Sequence, residues 1–68
     1  MFYPNRLLAA MTEKGISKSE IASALGVDGA TFYRKINGDS EFKRTEIEII
    51  RNRLNLTVNE AEAIFFAD

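Results

Sequence analysis

Sixty-eight residues with a formal net charge of -1 and neither cysteine nor histidine leave room for one small domain, near the lower limit of what an apolar core holds together unaided. The missing cysteine and histidine exclude zinc fingers, thiolate clusters, disulfides, nucleophilic thiols and the imidazole general base. The near-neutral sum supplies no general attraction for phosphate, so any nucleic-acid role has to come from how the charges are distributed. Pro4 suits the first turn of a helix running through Arg6, Leu7, Ala10 and Met11, which Gly15 stops. Ser17 and Glu20 then have capping-box spacing, the serine oxygen accepting an orphan amide while the glutamate reaches back, and predict a helix over 18–25. Within it Ala22 supplies the small side chain needed where two helices approach. Gly26 follows as a turn residue tolerant of a left-handed backbone, and Val27 plugs the corner. Asp28 caps a third helix over 29–36, which Asn37 and Gly38 terminate. Thr45 with Glu48, and Thr57 with Glu60, repeat the box and predict helices near 46–54 and 58–66.

Each late helix has an apolar face, Ile47, Ile50 and Leu54 on one and Ala61, Ile64 and Phe65 on the other, while no stretch sustains the alternation of a strand. The expectation is an all-α, five-helix bundle occupying 1–68 as a single helix-turn-helix domain, with the motif at about 17–38. Its predicted core is Leu7, Met11, Ile16, Ile21, Ala22, Leu25, Val27, Phe32, Ile36, Phe42, Ile47, Ile50, Leu54, Leu56 and Ile64. Burying these side chains has to offset the ordering entropy of the whole chain, which leaves little surplus for a strained catalytic site. The longest apolar runs, 7–11 and 63–67, fall far short of the roughly 20 residues of a membrane span, and no signal-peptide pattern opens the chain. With no cysteine to oxidise, a soluble cytoplasmic protein is expected, with no membrane partner and no small-molecule substrate.

Charge is unevenly spread: residues 1–44 carry seven basic side chains against five acidic ones, and residues 45–68 carry two against five. That asymmetry orients the first part toward DNA and leaves the rest to solvent or protein. On the third helix Phe32 and Ile36 face inward, so Gly29, Ala30, Tyr33 and Arg34 fall on the opposite face, where a major groove would lie. Phe65 and Phe66 diverge by about 100° on a regular helix and cannot share one core. The exposed one, Phe66, forms with Val58 and Ala63 a candidate dimer or partner surface, the alternative being a frayed tail. Glu46 and Glu48, like Glu60 and Glu62, are two residues apart and diverge, so they make no acid-base or metal pair. With no glycine-rich phosphate loop or nucleophile constellation, catalytic residues, cofactors and metals are all expected to be none, and the protein is not expected to be an enzyme.

The run EIASALGVDGATFYRKING, followed by EFKRTEIEIIRNRLNLT, resembles the phage repressor and Cro class of helix-turn-helix regulators, the Xre family. It is similar in particular to small phage- or prophage-encoded members with a TFYRKING-type recognition helix, over about residues 5–57. The resemblance implies a lambda repressor-like fold and a transcriptional regulator, repressor or Cro-like, whose partner is double-stranded operator DNA. It implies that Lys18 and Ser19 clamp a phosphate, that Gly29, Ala30, Tyr33 and Arg34 lie against base edges, and that Thr31 stands beside them at a phosphate. Arg34 would take guanine O6 and N7 in a bidentate pair worth about 1–3 kcal/mol of discrimination, and Ala30 would touch a thymine methyl. Lys35, Asn37, Lys43 and Arg44 would hold the backbone across the groove. The chain departs from stronger members in offering no hydrogen-bonding side chain at Gly29 and Ala30, and in placing Asp28, Asp39 and Glu41 near the phosphate surface. Weak monomer binding is therefore expected, remedied by a homodimer on half-sites about 34 Å apart or a multiple of that. The rival expectation is a protein-interaction module of the same fold that modulates another regulator without binding DNA itself.

Overall fold

The computed structural model describes residues Met1–Asp68 as five helices and no strand: α1 Pro4–Lys14, α2 Lys18–Leu25, α3 Gly29–Asn37, α4 Arg44–Leu54 and α5 Val58–Phe65. Local chemistry starts most of them where expected. Pro4 stands in the first turn of α1. The Ser17 hydroxyl accepts the Glu20 amide at 3.1 Å while Glu20 Oε1 accepts the Ser17 amide at 3.3 Å. Asp28 Oδ1 accepts the Thr31 amide at 2.7 Å, and Thr57 and Glu60 exchange the same pair of bonds as Ser17 and Glu20. The third helix runs one residue beyond its expected end, through Asn37, and the fifth stops one residue early, at Phe65.

The start of α4 differs. Lys43, not Thr45, is the cap residue, and Glu46, not Glu48, reaches back, its Oε1 accepting the Lys43 amide at 2.8 Å. Lysine has no acceptor to complete a reciprocal box. The register is chosen by a long-range partner of Glu46, described below. At their C-termini four helices close alike: Ile16, Val27, Asp39 and Leu56 donate amides to Met11, Ala22, Arg34 and Arg51 at 2.9–3.0 Å, each just after a left-handed residue. Three of those residues are glycines, and the fourth is Asn55, at φ 54°.

These caps fix the path so that α2 packs on α3 and α4, while α1 packs on α4 and α5. Leu7, Ile21 and Ile50 are wholly buried at the junction, and Leu54 nearly so. Of the expected core, Ile16, Leu25, Val27, Phe42 and Ile47 are only partly buried against it, whereas Ala61 and Phe65, expected on the apolar face of the fifth helix but not in the core, are buried. Phe2 stacks on Phe65 with ring centroids 5.5 Å apart and meets Phe42 edge-on at 5.2 Å. The residues before α1 are tied to α5 as well, the Tyr3 amide donating to the Ile64 carbonyl at 2.8 Å and Arg6 Nη1 to the Ala63 carbonyl at 2.7 Å. No helix is long and apolar enough to cross a membrane.

Candidate nucleic-acid interface

Three residues, Gly26, Val27 and Asp28, join α2 to α3. Gly26 takes φ 73°, which reverses the chain, and Val27 lies partly buried over Ala22, which accepts its amide. This turn brings the start of α2 beside the outer face of α3, leaving an open groove of about 680 Å³ between them. Lys18, Ser19, Gly29, Tyr33 and Asn37 line it, so five of the expected contact residues converge from two helices. Its apolar lining comes from Leu8, Ala22, Val27, Phe32 and Ile36. Ser23 also lines it and was not anticipated; its place one turn beyond Ser19 on α2 was the available signal.

Lys18 is the groove's only charged lining residue. Ala30 and Arg34 are exposed on α3 outside the groove, and Arg34 forms no salt bridge. Tyr33 is 64 % exposed, whereas Thr31 is half-buried. Asp28, which threatened to repel phosphate, is engaged in the cap: hydrogen bonds from the Thr31 hydroxyl and amide, aided by the charge of Arg34, hold its carboxyl below the usual range. Asp39 and Glu41 stay exposed with no ion pair.

Lys35 is not on this surface. It is 5 % exposed, and its Nζ lies 3.0 Å from Glu46 Oε1 and donates to the Glu41 carbonyl at 3.2 Å. Lys35, expected at a phosphate, is therefore no phosphate contact. On α3, Lys35 shares the buried stripe of Phe32 and Ile36, and its ammonium must find an acidic partner inside. That stripe was legible as periodicity, and a base within it, three residues from Phe32 and one from Ile36, was the signal for the pair with Glu46.

Lys43 is exposed at the start of α4, in the segment that returns to α3 through the Lys35 bonds. Arg44 is brought elsewhere, to a second groove between α4 and α5 shared with Glu48, Arg51, Val58 and Phe66. Val58 and Phe66 are 54 % and 59 % exposed there, and Phe66 also borders a shallow depression with Ala63, so the three candidate dimer residues form one continuous patch. No group of three or more acidic side chains is arranged to hold a metal ion. Among known proteins this chain matches no family model, no curated protein and no solved structure.

Proposed function

We propose that the protein is a sequence-specific, non-enzymatic DNA-binding regulator of transcription, of the phage or prophage repressor and Cro type it resembles, acting in the cytoplasm. The observation that carries the reading is the outer face of α3: Gly29, Ala30, Tyr33, Arg34 and Asn37 are all exposed, none is acidic, and the nearby acid, Asp28, is engaged as a cap. With α3 in a major groove, Lys18 and Ser19 hold one phosphate strand and Lys43 the other. Those contacts set register without reading sequence. Gly29 and Ala30 let the backbone come close, and the unpaired guanidinium of Arg34 takes guanine O6 and N7. Pairing of two copies through Val58, Ala63 and Phe66 supplies the second half-site, and occupation of a promoter-proximal site gives repression.

Selection from a random duplex library by purified protein at about 150 mM salt tests this reading, with Arg34→Ala and Lys43→Ala in parallel. The expected outcome is one enriched motif. Arg34→Ala relaxes it at one guanine for a cost of about 1–3 kcal/mol, and Lys43→Ala weakens binding to all sequences and lowers the salt slope by about one. Folded protein that enriches nothing, or two variants that bind like wild type, defeats it.

The apolar part of the groove that stays accessible, Tyr33 with the partly buried Leu8 and Val27, favours a second reading, a module that binds another regulator there. Salt separates the two, since phosphate binding weakens steeply as salt rises and an apolar interface does not.

A further inference from the structure

The buried charges of the molecule are Lys35 and Glu46, whose side chains are 6 % and 11 % exposed. One end of the pair sits on α3 and the other in the first turn of α4, and between them runs the segment 38–43. Three groups of that segment are gripped by the pair. The Glu41 carbonyl accepts from Lys35 Nζ at 3.2 Å, the Lys43 amide donates to Glu46 Oε1 at 2.8 Å, and the Phe42 ring lies 5.9 Å from the same ammonium. Phe42 is itself fixed edge-on against Phe2 and Phe65, with centroids 5.2 and 5.6 Å away. Every buried side-chain polar atom finds a partner. Taking two charges out of water often costs more than their attraction returns, so a pair of this kind is a poor device for stability alone. What it supplies is geometry: one carboxylate oxygen is bonded at once to a side chain of α3 and to the backbone that starts α4.

Resting on the DNA-binding reading above, we propose that Lys35 and Glu46 are positioning residues of the interface, locking the 38–43 segment to α3 so that Lys43 meets the phosphates in fixed register with the base-reading face. Neither residue touches DNA. They act through Lys43, and the strength of its contact depends on them.

Removing one partner strands a buried charge and threatens folding, so the test uses the double replacement Lys35→Met with Glu46→Leu, which keeps the volume apolar and removes both bonds to the segment. Full-length wild type, the double variant, Lys43→Ala and the triple combination are compared on the duplex enriched by wild type. Binding is followed over a salt series, alongside thermal melting and amide exchange. The expected double variant melts close to wild type, exchanges its Lys43 amide about tenfold faster and binds about fivefold more weakly. In that background Lys43→Ala changes the salt slope by roughly half or less of its effect in wild type. The inference falls alone if wild type binds duplex and the double variant keeps its affinity and its dependence on Lys43, or loses affinity only in step with melting. If wild type binds no duplex, the DNA reading and this inference fall together.

Discussion

Glu46 carries opposing influences on a single carboxyl. Burial pushes its pKa up, but the Lys43 amide and the Lys35 ammonium together more than offset burial and hold it below the ordinary glutamate value of 4.5. A carboxyl depressed by folding contributes stability that is fully present above its unfolded pKa and is lost as pH falls through the folded one. Glu60, held down by the Thr57 amide and hydroxyl, and Asp28, held down by Thr31, act in the same direction. The melting temperature should therefore be flat near neutrality and decline below about pH 4.5. Glu46→Gln should lower stability at pH 7 by about 3 kcal/mol, because the buried Lys35 loses its carboxylate partner, and should flatten the acid limb. A series of melting curves against pH checks both; an acid limb unchanged in Glu46→Gln would show that this carboxyl is not linked to folding. The burial of Lys35 was half legible in the sequence. Its helical position fell on the apolar stripe, but its charge suggested the outside, and only an acid eleven residues away resolves the conflict.

Three helix starts were legible because the cap residue's own side-chain oxygen accepts an amide three residues on. Ser17 with Glu20, Asp28 with Thr31 and Thr57 with Glu60 each act within three residues and stand as the sequence rules require. Thr45 with Glu48 satisfied the same rule equally well, and α4 starts at Arg44 because Glu46 is drawn inward by a residue of another helix. The left-handed Asn55 is likewise hard to read from sequence, since asparagine signals a helix end more weakly than glycine does. Two glycines three residues apart give opposite expectations on replacement by alanine. A Cβ meets nothing within 4 Å at either, so backbone conformation decides. Gly26, at φ 73°, should lose about 1 kcal/mol in Gly26→Ala, and Gly29, helical, should gain about 0.5 kcal/mol in Gly29→Ala. Urea titrations measure both. If the bases lie against α3 as proposed, Gly29→Ala also weakens DNA binding while it stabilises the protein.

At the scale of the whole molecule, the five-helix architecture and the centre of the core followed from periodicity, with Leu7, Ile21, Ile50 and Leu54 expected inside and found there. Phe2 did not. It precedes α1, where no repeat reports its facing, and it is held by rings at positions 42 and 65. The expected divergence of the last two aromatics is met, Phe65 buried and Phe66 turned out into the patch with Val58. Phe66→Ser should leave stability within about 0.5 kcal/mol, since little burial is lost. If the patch pairs two copies, the variant should sediment as a monomer, keep binding to an isolated half-site and lose the extra affinity of a palindrome. A Phe66→Ser variant that still sediments as a dimer alongside dimeric wild type would exclude the patch as the dimer surface.

The bonds from Tyr3 and Arg6 to the carbonyls of Ile64 and Ala63 bear on synthesis. Of the five helices α1 is made first, yet the backbone it fastens to is made about sixty residues later, so the side of α1 that faces α5 stays uncovered until then. The α2 and α3 pair can dock early, being adjacent along the chain, but closure of the core waits for the segment around Phe65 to leave the exit tunnel. A chain that ends before α5 therefore keeps α4 as a cover for α1 but leaves the α5-facing side of that helix open.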